Sequence, residues 1–178
     1  MSYSIIGSGA IGSALAGHFA SRGIEVSLAN SRGSASLKDI VRKLGSKVKA
    51  VTVKEAASAD IVILAVPFPA VPNAVSAVSD WRGRIVVDAT NAVDLPSFTP
   101  TDLGGRLSSE IVAQAVPGAR VVKAFNTLMA AVLAGNPAEA GGRRVIFMSS
   151  DDADANAAVS ALCERLRSEE HTSELQSR

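Results

Sequence analysis

Short runs rich in β-branched residues alternate along the chain with longer, alanine-rich stretches. Ser4–Gly7, Glu25–Asn30, Lys47–Val51, Asp60–Val66, Arg84–Ala89, Ala119–Ala124 and Arg143–Met148 read as strands. Several of these runs are apolar at every position rather than at every second one, the pattern of parallel strands covered on both faces. Between them, Ile11–Ser21, Ser34–Leu44, Val71–Val78, Ser108–Val116 and Asp151–Leu166 fit helices. Ser108 followed by Ile111, Val112 and Ala115 gives a cap and an apolar stripe. Asp151 and Asp152 suit the positive end of the last helix. Seven strands alternating with helices predict an α/β fold with an open, doubly wound, mostly parallel sheet, formed by one domain over residues 1–166.

Composition narrows the class further. At 178 residues, 47% of them hydrophobic and with a mean hydropathy of +0.24, the chain has ample material for one core. Eighteen Lys+Arg against seventeen Asp+Glu leave a net charge of +1, so no nucleic-acid partner is expected. A 4% aromatic content argues against base-stacking platforms and ring-lined carbohydrate clefts. One cysteine, Cys163, forms no intramolecular disulfide, and the chain is expected in the cytoplasm. His18, His171 and Cys163 lie too far apart in sequence to suggest a metal cluster. Ile61 to Ser79 carries no charge over nineteen positions, but Pro67, Pro69 and Pro72 interrupt it. A strand, a loop and a helix are expected there, and no membrane partner. Ser4 to Ala20 lacks the basic segment of a signal peptide.

The last stretch breaks the pattern. Arg167 to Ser177, RSEEHTSELQS, is polar and reads like the in-frame translation of a sequencing-adapter oligonucleotide. Residues 167–178 are therefore expected to be a non-native tail without chemistry.

The densest local signal is Gly7-Ser8-Gly9-Ala10-Ile11-Gly12, a G-x-G-x-x-G between a predicted strand and a predicted helix. Gly7 permits a tight turn, Gly9 a close approach of backbone to a diphosphate, and Gly12 close packing of helix on sheet. The helix then aims its free N–H groups at the phosphates. A site preferring NAD places an acid about 20 residues further on, to accept from the ribose 2′-hydroxyl. Here that place holds Asn30-Ser31-Arg32, eighteen to twenty residues after Gly12. No carboxylate repels a 2′-phosphate, Arg32 offers it a planar fork of donors, and Ser31 a hydroxyl. Lys38 would add a second positive charge. The expected cofactor is NADP(H).

An open α/β sheet binds its ligand at the carboxyl ends of its strands. Ala65-Val66-Pro67 supplies an apolar, backbone-lined edge there. Asn91 and Asn126, the latter after Ala124-Phe125, offer amides to a ribose hydroxyl or a nicotinamide carboxamide. No Ser/His/Asp set, paired carboxylates or metal cluster is present, and His18 is expected to be structural. Hydride transfer needs none of these, because the cofactor holds the reactive carbon. No residue is therefore assigned a catalytic role.

GSGAIGSALA, ANSRG, AVPFPAV, VVDATN and PGARVVKAFNT together resemble the NADPH-dependent coenzyme F420 reductase family, across roughly residues 3 to 166. The resemblance implies a Rossmann domain and hydride transfer between NADP(H) and the deazaflavin coenzyme F420. It implies that Ser8, Ser31, Arg32 and Lys38 hold phosphates, and that Val66-Pro67 and Ala124-Phe125-Asn126 flank the nicotinamide and a small-molecule redox acceptor. It also implies a homodimer. Relatives of the wider group reduce imines, flavins or ferric iron instead, and a non-catalytic NADPH-binding module is the alternative from another class. The family continues beyond the last helix into a segment shaping the acceptor pocket and the dimer contact. With the tail in its place, NADPH binding is expected with weak or no turnover.

Overall fold

The computed structural model describes residues 1–94, 96–137 and 144–166. Among these are nine strands: β1 (Tyr3–Ile6), β2 (Val26–Ala29), β3 (Val48–Ala50), β4 (Ile61–Leu64), β5 (Ile85–Asp88), β6 (Val93–Asp94), β7 (Thr99–Pro100), β8 (Arg120–Ala124) and β9 (Met148–Ser149). Seven of them form one sheet in the order β3-β2-β1-β4-β5-β8-β9, while β6 and β7 make a separate antiparallel pair. Every neighbouring pair in the main sheet is parallel except β8 with β9. The chain winds outward from β1 to β3 and then returns to lay β4 against the other side of β1. The β1–β4 boundary is therefore the switch point at which such sheets open a crevice. The expected doubly wound, mostly parallel α/β sheet is the one that forms.

Among the described residues seven helices flank it: α1 (Ala10–Ser21), α2 (Lys38–Leu44), α3 (Val53–Ala56), α4 (Val71–Val75), α5 (Ser108–Ala115), α6 (Ala130–Ala134) and α7 (Ala153–Leu166). Alternate strand residues feed two cores. Ile5, Ile61, Ile63, Ile85 and Val87 pack with Leu15 and Phe19 of α1, Leu133 of α6 and Val159 of α7. Ile6, Val62, Leu64 and Val86 pack on the other face with Ala56 of α3, Val71 of α4, Val112 of α5 and the buried Trp81. This two-sided burial explains the unbroken apolar runs. Arg165 of α7 lies over the Tyr3 ring, 5.6 Å from its centroid, and donates to the Tyr3 hydroxyl at 2.7 Å, tying the last helix to the first strand. No helix among the described residues is long and apolar enough to cross a membrane.

Some boundaries differ from expectation, for identifiable reasons. The strand expected over Arg143–Met148 is displaced to Met148–Ser149 and runs antiparallel, its first residue lying outside the described residues. The Arg144 guanidinium donates to the carbonyls of Leu133, Gly135 and Asn136, so this part of the chain turns toward the end of α6 instead of pairing. The predicted helix over 34–44 begins as a 3₁₀ turn, Ser34–Leu37, and Val71–Val78 stops at Val75. The short α3 was not expected, although Thr52 and Glu55 cap it reciprocally: Glu55 N–H donates to the Thr52 hydroxyl at 3.2 Å, and Thr52 N–H to Glu55 at 2.7 Å. The two Thr52 donors hold the Glu55 carboxyl below its ordinary range. The expected tail over 167–178 lies outside the described residues.

At the switch point three backbones meet. Gly7 has φ +118°, and a Cβ there would overlap the Ala65 carbonyl; a Cβ on Gly12 would overlap the Gly7 carbonyl. The start of α1 is thus seated on the turn that leaves β1, which in turn abuts the end of β4. Gly12→Ala is accordingly expected to cost about 3 kcal/mol, an overpacking penalty with no flexible neighbour to relieve it. Gly9→Ala, where a Cβ meets nothing within 4 Å, is expected to stay within about 1 kcal/mol. Urea unfolding of the two variants checks the contrast.

Candidate functional site

The groove over the switch point is built from the ends of β1, β2 and β4. Gly7 N–H donates to Ala29 O at 2.8 Å and Ala65 N–H to Ile6 O at 2.9 Å, which extends the ladder one residue beyond each strand and aligns the three loops. Ser13 N–H bonds to Gly9 O at 2.9 Å as the first turn of α1 closes. The amides of Ala10, Ile11 and Gly12 precede that bond, so they belong to the turn whose N–H groups have no partner within a helix. They form its positive end, and α1 has no acid in its first turn.

Asn30, nearly buried, organises the end of β2. Its Nδ2 donates to Ser8 Oγ at 2.9 Å and to Ser36 Oγ at 3.0 Å, and its Oδ1 accepts Arg32 N–H at 2.9 Å. One amide therefore joins the glycine turn to the loop that carries Arg32. Its hydrogen-bonding capacity is taken up inside the protein, which makes it a positioning group.

The resulting groove has a volume of about 690 Å³, ordinary for a small-molecule site. Gly7, Ser8 and Gly9 line it from the first turn, Asn30, Ser31 and Arg32 from the second, and Ala65, Val66 and Pro67 from the third. Val53, Ala70, Asn73, Ala74 and Ala77 close the side toward α3 and α4. Arg32 is the sole charged residue in this lining. It is exposed, and its guanidinium forms no ion pair among the described residues.

Not every expected residue joins this groove. Lys38 is exposed at the start of α2 and absent from the lining. Asn91 and Asn126 form a second cluster, further along the same edge at the tips of β5 and β8. Asn91 Nδ2 donates to the Asn126 carbonyl at 2.8 Å, and Asn126 Nδ2 to Asn91 Oδ1 at 3.2 Å. The side chains of Ala124 and Phe125 are buried, so these two residues present backbone. Phe125 adopts φ +63°, a left-handed conformation unusual for a bulky residue. His18 bonds through Nε2 to the Leu133 carbonyl at the end of α6, the structural role expected of it.

Beneath the asparagines lies a network that was not foreseen. Asp88, fully buried, accepts Thr90 N–H at 2.9 Å, the Thr90 hydroxyl at 2.7 Å and Lys123 Nζ at 2.8 Å. Lys123 also donates to the Thr90 carbonyl at 2.6 Å. A charged residue at or next to the end of each of two apolar strands, Asp88 in VVDATN and Lys123 in VVKAFNT, was the available signal. Among the described residues no group of His, Cys, Asp and Glu is placed to hold a metal.

A glycine turn from the first strand into a helix, under a crevice at the switch point of a doubly wound sheet, defines the class of dinucleotide-binding α/β proteins. Within that class the chain belongs to the family described as NADP oxidoreductase, coenzyme F420-dependent, whose model matches residues 2–92. Members are NADP-dependent oxidoreductases, and the chain is one of them. A hypothetical protein from Sinorhizobium meliloti is 54% identical, with a TM-score of 0.92 over 98% of this chain and 84% of that one. A protein of Arthrobacter sp. FB24, provisionally described as an F420-dependent NADP-reductase, is 26% identical, with a TM-score of 0.83 over the same shares. An imine reductase from Aspergillus terreus, in complex with NADPH4 and a dibenzazepine, shares the fold at 21% identity and a TM-score of 0.69; the alignment covers 98% of this chain and 54% of the reductase.

The bonding around residue 30 separates two neighbours. Asn30→Ala removes an amide with three partners and is expected to lower stability by about 2 kcal/mol. Lys38→Ala is expected to change it by less than about 0.5 kcal/mol. Equilibrium urea unfolding measures both.

Proposed function

We propose that this chain binds NADP(H) in the groove over β1, β2 and β4 and passes a hydride between its nicotinamide and a deazaflavin acceptor of the coenzyme F420 type. The observation that carries the reading is the groove's charge pattern: one guanidinium without an ion pair among the described residues, no acid in the lining, and a glycine turn under a helix N-terminus. These residues fit the nucleotide. Amides of Ser8 to Gly12 would receive the diphosphate, and Gly9, with open space where a Cβ would stand, lets it approach. Arg32 and Ser31 would hold the 2′-phosphate, with Lys38 adding charge at longer range. Asn30 keeps Ser8 and Arg32 in register with each other. Val66 and Pro67 form the apolar wall along which the nucleotide would run toward the β5 and β8 tips. There Asn91, Asn126 and the backbone of Ala124 and Phe125 would meet the nicotinamide and the acceptor.

A bound nicotinamide would supply or accept the hydride. What the chain adds is position, and no side chain is given a role in proton transfer. The deazaflavin acceptor is supported by the family match and the Arthrobacter relative. The imine reductase shares only the fold, so other acceptors serve as the comparison.

Arg32→Asp is expected to weaken NADPH about tenfold to a hundredfold while sparing NADH, the loss of a charge-assisted contact plus repulsion. Equal weakening of both, in fluorescence titrations, would remove Arg32 as the discriminator. With wild-type protein and NADPH followed at the nicotinamide absorbance band, F420 is expected to be reduced faster than flavin, imine or ferric acceptors, whatever the absolute rate. Faster turnover with any of those three would overturn the deazaflavin assignment.

A further inference from the structure

The fully buried Asp88 and the largely buried Lys123 face each other across the β5–β8 ladder, where they are direct register partners. Taking such a pair out of water is expensive, and well-packed apolar residues in its place are often as stable. The pair's value must therefore lie in what it positions. Asp88 anchors the backbone N–H and hydroxyl of Thr90, while Lys123 grips both Asp88 and the Thr90 carbonyl. Two of the three ammonium donors are occupied in this way, so Lys123 holds backbone in place. Thr90 leads directly into Asn91, and Lys123 leads through Ala124 and Phe125 into Asn126. The asparagines then close the loop tips above by bonding each other. Phe125, left-handed and with its side chain buried in the core shared with α1, α6 and α7, is the kind of residue that persists only when its surroundings over-determine it, and such residues collect at ligand clamps.

We propose that Asp88 and Lys123, with Thr90, are positioning residues for the nicotinamide half of the nucleotide: they brace the β5 and β8 tips so that the Asn91–Asn126 pair and the Phe125 turn keep one geometry. The proposal rests on the reading of the groove as an NADP(H) site. It assigns the network to one half of the ligand. The adenosine half, held by Ser8, Ser31 and Arg32 on other strands, is independent of it.

The test uses two probes, NADPH and 2′-phosphoadenosine diphosphoribose, which is NADP without its nicotinamide. The double variant Asp88→Asn/Lys123→Met removes both charges without stranding either. It is expected to bind NADPH about tenfold more weakly, the scale of one lost charge-assisted contact, and the fragment within about twofold of wild type. The emission of bound NADPH is expected to shift toward that of the free nucleotide, and Lys123→Arg to restore part of the difference. Thr90→Val keeps both charges and serves if the double variant fails to fold; it is expected to show the same selectivity at smaller size. Parallel loss of both probes, or no change in either, would overturn the brace while leaving the groove reading intact. Wild-type protein that binds neither probe would overturn the groove reading, and the brace with it.

Discussion

The close approach of backbone at the switch point is the constraint on which the remaining architecture depends. The turn leaving β1 has the end of β4 on one side and the first turn of α1 on the other, and neither contact leaves room for a Cβ. Because α1 starts there, its unpaired amides face the crevice in place of the sheet. Because β4 abuts the same turn, Ala65 and Val66 become the groove's second wall. The shape of the glycine turn and the seating of the first helix are thus one packing problem with one solution.

Charge is distributed along the strand tips in two ways. Toward β2 a single cation stands exposed in the groove lining and without an ion-pair partner among the described residues, suited to an anion that arrives from solution. Toward β5 and β8 both signs are buried and matched, and their fields are absorbed by Thr90 and by each other. The first arrangement suits a ligand; the second holds protein. The apolar stretch at the end of β4 separates them, so a dinucleotide laid across the edge would meet a cationic end and a neutral, amide-lined end.

Much of this is legible from the chain, because the responsible interactions are local. Unbroken apolar runs report burial on both faces, and G-x-G-x-x-G reports a strand-turn-helix. The place of Arg32 follows from its distance to Gly12. What escaped notice depends on residues far apart in sequence. Asp88 and Lys123 lie thirty-five positions apart and look like ordinary strand-end charges until the β5–β8 register pairs them. Asn91 and Asn126 are recognisable as candidates, but their bonding to each other is set by the same register. The edge strand β9 was misplaced because Arg144 is drawn to the end of α6, a helix too short to show a period. Lys38 stands exposed at the start of α2, and the 3₁₀ turn before it leaves it outside the groove lining, a placement its sequence position does not show.

Asn30 has a consequence for how cofactor preference could drift. In related folds a carboxylate near this place selects the unphosphorylated nucleotide, and the shortest route to one here is Asn30→Asp. An aspartate keeps an acceptor for Arg32 N–H but has no N–H to offer Ser8 and Ser36, so the exchange would loosen the glycine turn as it recruits the new ribose contact. The natural path to the other cofactor therefore runs through the exposed positions 31 and 32, whose side chains make no hydrogen bond or ion pair among the described residues, and the loop's own wiring shields its anchor from that change.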